Sequence, residues 1–208
     1  MTDPTAATVV QVRSGDVTAR PWVLLHGSDG RESDLLPLAE RVAPSASKIA
    51  PRGTAVTPEG FAHFHRRPDR TLDEDDIRRR VDPLAQLISS TLTAHGLHQV
   101  PYVLGYSNGA IMAAALLSFA PDLFGAAVLL RPLTPFTGSP MPALRELPVL
   151  VLDAAYDTRR SPGDGARQSR ILARAGANVT HKTLLTEHPL SDQDECAIRV
   201  WLHDDRTE

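Results

Sequence analysis

The pentapeptide Gly105-Tyr106-Ser107-Asn108-Gly109 constrains the fold more than any other stretch of this chain. Residues 101–104 before it are short, apolar and β-prone. Residues 108–119 after it are rich in Ala, Leu and Met, which favour helix. A serine between two such elements, flanked by glycine two positions away on each side, marks a very sharp strand-to-helix turn. A Cβ at either glycine would collide with the neighbouring helix or strand. The serine is pressed into a strained backbone conformation that lifts its hydroxyl above the sheet.

Strands and helices alternate around this turn. Residues 9–12 read as an edge strand and 22–25 as a strand apolar throughout, as expected where both faces are covered. Residues 26–30 form a glycine-rich loop, and Ser33 is placed to cap a helix reaching Val42, with Pro37 in its first turn. Residues 48–50 form a short strand, and residues 53–70 are irregular and broken by proline and glycine. A helix starts near Asp73, with Ile77, Val81, Leu84, Ile88 and Leu92 at helical spacing and a kink or a break expected near Asp82, before Pro83. Its pairs Glu74–Arg78, Asp75–Arg79 and Asp76–Arg80 read as a solvated face. After the elbow helix come a buried strand at 125–130 and a proline-rich loop at 131–146, expected to cross the sheet edge. A strand at 148–152, a helix at 165–175 closed by Gly176, and a strand at 179–185 follow. The last helix is opened by Ser191-x-x-Asp194 and reaches His203. The alternation predicts a mostly parallel sheet with helices on both faces, folded as one domain over residues 1–208.

Ligands of such sheets bind at the carboxyl ends of the strands, so the loops there carry the chemistry. Serine needs a base to take its proton, and the imidazole that serves needs a carboxylate to fix its tautomer. Ser107, Asp157 and His188 each fall in a loop after a strand and occur in the order nucleophile, acid, base that α/β-hydrolases use. Asp153, at the end of its strand, competes with Asp157 for the acid role. Asp157 is preferred because the Arg159-Arg160-Ser161-Pro162 loop after it can reach back over the sheet. His181 lies within a strand pattern and His203 near the chain end, leaving His188 as the favoured base. His26 is read as a support for its loop. The oxyanion formed on attack needs two N–H donors. Asn108, at the start of the elbow helix, offers one backbone N–H, and Ser28 the other.

The stretches LLHGSDGRESDLLPLAE, APRG, FHRRP with DEDD after it, GYSNGAIMAAALL, AAYD and EHPLS resemble the phospholipase/carboxylesterase family of α/β-hydrolases, and in particular its small bacterial carboxylesterases related to hydroquinone-stress hydrolases. The resemblance spans roughly residues 22–195. It implies the α/β-hydrolase fold and hydrolysis of small carboxylic esters, with thioesters as a further substrate, through an acyl-enzyme. Ser107, Asp157 and His188 would act without metal or organic cofactor, often in a homodimer. Two positions depart from the family pattern. Glu187 stands where glycine usually precedes the histidine, which would strain the loop or raise the His188 pKa. Arg131 stands where a histidine before proline is more usual, and would pair with a surface carboxylate or bind an acidic group on a substrate.

Phe64, His65 and Arg66 are expected to cross the mouth of the site, with Leu133 and Phe136 adding apolar wall. His63 and His65 invite a metal reading, but a catalytic zinc usually takes three protein ligands and no third is evident. No segment is long enough for a helical lid, so the site should be shallow. The competing reading is a hydrolase-fold protein with weak catalysis that binds small molecules in a stress response, and Glu187 alone favours it. A dienelactone-type hydrolase would use cysteine where the elbow holds serine.

The remaining classes are set aside by composition. With 208 residues, 42% of them hydrophobic, the chain can bury one good core. A net charge of −3 gives no reason to expect nucleic acid or an anionic membrane as a partner. The start MTDPTAATVV has no secretory pattern, and no apolar run approaches the ~20 residues a membrane-spanning helix needs. Cys196 has no second cysteine to pair with, which fits a reducing, cytoplasmic compartment, and it is expected to be buried and inert.

Overall fold

The computed structural model describes residues 8–204; the expectation drawn from the first ten residues lies mostly outside them. In chain order the elements are β1 (Val10–Arg13), β2 (Trp22–Leu25), α1 (Leu36–Val42), β3 (Lys48–Pro51), β4 (Ala55–Val56), β5 (Phe61–Ala62), α2 (Glu74–Ala94), β6 (Tyr102–Tyr106), α3 (Asn108–Phe119), β7 (Ala126–Leu130), β8 (Pro148–Ala154), α4 (Asp164–Arg174), β9 (Asn178–Leu184) and α5 (Asp192–Asp204). Seven strands form one sheet in the order β1-β3-β2-β6-β7-β8-β9, and β4 pairs with β5 in a small ribbon. Only β1, at one edge, runs antiparallel to its neighbour. No helix among the described residues is long and apolar enough to cross a membrane.

Alternate residues of the central strands feed two cores, as the period of two in a strand requires. Val23, Val103, Leu129 and Val151 pack under α2, α3 and α4, and Leu24, Leu104, Val128 and Leu152 under α1 and α5. The strands are apolar throughout because both faces are covered.

Four local expectations are corrected. Helix α1 begins at Leu36, with Pro37 in its first turn, and Ser33 lies in the preceding turn with its carbonyl accepting from the Leu36 N–H. Helix α2 runs 21 residues with Pro83 inside it, so the helix does not break there. Burial of Ile77, Val81, Ile88 and Leu92 outweighs the cost of an interior proline, about 3 kcal/mol. The 131–147 connection joins two interior strands and sinks Phe136 and Leu144 into the α2–α3 core rather than skirting the sheet edge. Cys196 is exposed, because the buried stripe of α5 is Asp194, Ala197, Ile198, Trp201 and Leu202 and position 196 falls outside it.

Candidate active site

Ser107 sits between β6 and α3 at φ 53°, ψ −108°, a conformation that L-residues rarely adopt and that costs of order 1–3 kcal/mol. The two glycines make the turn possible. A Cβ on Gly109 would drive into the Leu25 carbonyl of β2, and one on Gly105 would meet the Gly109 carbonyl and the Ala110 Cα of α3. Strand on one side and helix on the other thus fix both positions as glycine.

His188 Nε2 lies 3.0 Å from Ser107 Oγ, and His188 Nδ1 lies 2.7 Å from Asp157 Oδ2. A carboxylate only accepts, so Nδ1 carries the proton and Nε2 is left with its lone pair toward the serine hydroxyl. Asp157 lies in the loop after β8, where its second oxygen accepts the Arg159 backbone N–H at 2.7 Å. Asp153 is turned elsewhere: it bonds His181 on β9 at 2.8 Å and packs against Gly165 of α4. Burial is the main cause of a His188 pKa below 6.5; the Asp157 hydrogen bond opposes it, and Arg160 and Arg159 reinforce it.

Arg131 is the largest fully buried side chain and it locks the histidine loop. It forms an ion pair with buried Asp194, whose Oδ2 is 3.1 Å from Nη2, and Nη2 also reaches Thr186 Oγ1 at 3.2 Å and the Glu187 and Pro189 carbonyls at 3.4 Å. The expected carboxylate partner exists, but it is buried rather than on the surface. Asp194 doubles as the closing residue of its box, accepting from the Ser191 N–H and hydroxyl at 2.9 and 3.0 Å. Glu187 is exposed, does not adopt a positive φ, and is not among the main causes of the His188 shift, which is downward. Loop strain and a raised histidine pKa, both expected from it, are therefore corrected. Tyr106 completes the support by donating from its hydroxyl to the His188 carbonyl at 3.2 Å.

The loop after β2 reaches Ser107, since a Cβ on Gly27 would lie 3.7 Å from its Cβ. His26 holds that loop. Its Nε2 accepts from the Gly53 N–H at 2.9 Å, so its Nδ1 donates to the Gly27 carbonyl at 2.7 Å, and burial keeps the ring neutral. Among the described residues, neither the Ser28 nor the Asn108 backbone N–H donates to a protein acceptor, which leaves both free for an oxyanion. The Asn108 side chain is engaged separately. Its Oδ1 accepts from the His63 N–H at 2.8 Å, and its Nδ2 donates to the Phe64 carbonyl at 3.2 Å. Asp76 of α2, buried rather than on a solvated face, accepts from the His65 N–H at 2.7 Å and pairs with Arg79 and Arg80 at 2.9 Å. The strap at the site mouth is thus fastened at both ends. His63 is buried against the His26 ring, 4.5 Å between centroids, whereas His65 faces the cleft.

Ser28, Phe64, His65 and Arg66 line one cavity of about 640 Å³ together with Ser107. Leu133 and Phe136 line a neighbouring cavity of about 790 Å³ that does not include Ser107. Sequence reasoning missed Arg160, whose Nη2 donates to Ser107 Oγ at 3.0 Å, and the contributions of Arg70 and Arg159 to both cavities. The signal available was the Arg159-Arg160 pair two positions after Asp157.

No protein-family model matches the chain. It is 30% identical over 180 residues to MhqD, a candidate hydrolase of Bacillus subtilis (strain 168), covering 86% of this chain and 90% of that one. The carboxylesterase of Bacillus cereus superposes with a TM-score of 0.89 at 29% identity, covering 95% of each chain. A carboxylesterase from Mesorhizobium loti superposes with a TM-score of 0.84 at 31% identity, over 88% of each. With the sheet order, the elbow and these likenesses together, the chain belongs to the phospholipase/carboxylesterase family of α/β-hydrolases and is a carboxylesterase-type hydrolase.

Proposed function

We propose that the protein hydrolyses small carboxylic esters, and thioesters by the same route, through a serine acyl-enzyme. His188 Nε2 takes the Ser107 proton as Oγ bonds to the ester carbonyl carbon. The carbonyl electron pair moves to oxygen and is held by the Ser28 and Asn108 N–H groups. Collapse expels the alcohol, which receives the proton from His188, and leaves the acyl group on Oγ. Water, deprotonated by the same imidazole, then attacks the acyl carbon and releases the acid and free Ser107. The hydrogen-bonded chain Ser107–His188–Asp157, at 3.0 and 2.7 Å and opening on a cavity, carries this reading. Labelling by a fluorophosphonate probe, blocked in Ser107→Ala, tests it, since only an activated serine reacts. The alternative of a weakly catalytic binding protein has only Glu187 to support it, and that residue is exposed and is not among the main influences on the His188 pKa.

Asp157→Asn is expected to lower kcat by about 10⁴-fold, because the amide leaves the imidazole in the wrong tautomer. Asp153→Asn should cost far less, since its partner is His181. Steady-state kinetics of both variants check the assignment, and greater damage from Asp153→Asn contradicts it.

The His188 environment also sets the pH dependence. The free base is the working form, and its pKa is pushed below 6.5 by burial. The acid limb of kcat/KM should therefore have its midpoint below 6.5, with a plateau reached by neutral pH. Glu187→Gly is expected to leave that limb in place. A midpoint above the ordinary histidine value, or one that moves in this variant, would count against the assignment.

Acyl-chain length is the third measurable consequence. Each methylene can contribute about 0.8 kcal/mol only while there is apolar wall to bury it against. Phe64 supplies wall near Ser107, but Leu133 and Phe136 lie beyond a row of arginines shared by the two cavities. Acetate to butyrate esters are expected to be preferred over decanoate and longer ones. A series of kcat/KM values rising through palmitate, below micelle-forming concentrations, would contradict this.

A further inference from the structure

Arg66, Arg70, Arg159 and Arg160 line both cavities at the site, the one holding Ser107 and its neighbour. Arginines elsewhere in the fold are neutralised: Arg52 by Glu32, Arg78 by Glu74, Arg80 by Asp76 and Arg131 by Asp194. The four that line both cavities are different. Among the described residues none of them has a carboxylate at ion-pair distance. Arg160, half-buried, donates one N–H each to the Ser107 hydroxyl at 3.0 Å and to the Arg131 and Arg159 carbonyls at 2.8 and 3.1 Å, which leaves two of the five N–H groups of a guanidinium. Arg66, also half-buried, donates to the Arg70 carbonyl at 2.8 Å. Asp29 lines the Ser107 cavity but pairs with none of the four, and Asp164, in the neighbouring cavity, is turned to Arg167 and the Ser161 N–H.

Like charges gathered in a cleft repel one another, and burial raises the cost. Burial first, and Arg66 next, bring the Arg160 pKa down to about 10, which still leaves it charged at neutral pH. Such a cluster creates a positive local field on a chain whose net charge is −3. Guanidinium forks match carboxylate and phosphate oxygens in bidentate pairs, and a bound anion would offset the mutual repulsion.

We propose that Arg66, Arg159 and Arg160 form an anion-binding subsite beside the nucleophile, and that the preferred substrates are carboxylic esters bearing a second, anionic group a few bonds from the scissile carbonyl. The proposal rests on the serine-esterase reading above. The distance limit follows from Arg160, which already touches the oxygen that would bond to the carbonyl carbon. Half-esters of short dicarboxylic acids fit this description, and so do short esters ending in a phosphonate or phosphate.

The test compares monoethyl succinate, ethyl phosphonopropionate and the uncharged ethyl succinamate by pH-stat. At low ionic strength at least one anionic ester should exceed ethyl succinamate in kcat/KM by about tenfold or more, and added NaCl should shrink that ratio. The arm that wins distinguishes a carboxylate from a phosphate-type partner. Arg160→Gln and Arg66→Gln should bring the ratio toward one, and Arg160→Lys should recover only part of it, since lysine keeps the charge without the fork. A wild-type ratio near one for both anions, or a ratio that survives these substitutions, overturns the proposal while leaving the esterase reading intact. If no ester is turned over, the esterase reading fails and binding decides this one. Calorimetric binding of monoethyl succinate to Ser107→Ala, lost on adding Arg66→Gln or Arg159→Gln and absent for ethyl succinamate, supports the subsite. Equal or no binding of the two overturns it. Circular dichroism excludes misfolding, and the three arginine positions give independent variants should one fail to fold.

Discussion

Replacing Ser107 by alanine is expected to lower kcat for a chromogenic acetate ester by roughly a million-fold while leaving the protein folded. The hydroxyl is the point on which His188 Nε2 and Arg160 Nη2 converge, each at 3.0 Å, and no other hydroxyl bonds to that imidazole among the described residues. Its removal leaves two polar groups facing a cavity of about 640 Å³, where water can satisfy them, so little stability should be lost. The backbone at φ 53° is unchanged in alanine but relaxed in glycine. Ser107→Gly should therefore be equally inactive yet melt higher than Ser107→Ala. Comparable turnover by a folded Ser107→Ala would remove this serine from the mechanism, and a lower melting point for the glycine variant would contradict the strain.

Arg131→Met is expected to destabilise the protein by about 3–5 kcal/mol, the usual cost of stripping one partner from a buried ion pair. Asp194, fully buried at the start of α5, would keep the Ser191 bonds but lose its counter-charge. The same guanidinium holds Thr186, Glu187 and Pro189, which bracket His188. Stability and catalysis should consequently fall together, read by urea denaturation and by kcat. The double change Arg131→Met with Asp194→Leu separates the two effects. Removing both charges should restore much of the stability, whereas kcat should stay depressed because the histidine loop has lost its clamp. Full recovery of kcat in the double variant would show that Arg131 only balances Asp194.

Much of this architecture was legible in the chain because it is enforced locally. The elbow was readable from Gly105 and Gly109, since no other residue clears α3 and β2 at those positions. The apolar strands and the helical spacing of Ile77, Val81, Ile88 and Leu92 reported burial directly. The meeting of Ser107, Asp157 and His188 was legible for a related reason: a parallel sheet delivers every post-strand loop to the same end, so order along the chain becomes proximity in space.

Side-chain direction was not legible, because it depends on residues far along the chain. Arg131 looked like a surface or substrate-binding cation, and only the docking of α5 brought Asp194, 63 positions away, into the core against it. Glu187 looked harmful beside the histidine, yet it lies exposed while His188 is buried. Asp76 read as one charge in a solvated run until packing of α2 against the 63–66 strap gave it a backbone N–H to accept. Arg160 was visible only as a loop residue after the acid, and its reach to Ser107 exists because Asp157 and the Arg131 carbonyl hold that loop over β7 and β8. The turn that presents Ser107, and its approach to His188 and Asp157, could be read from the residues alone, since both follow from backbone sterics and strand direction. Which charges are neutralised and which are left facing the cleft depended on the folded arrangement, because pairing across the sheet is settled only when the helices close over it.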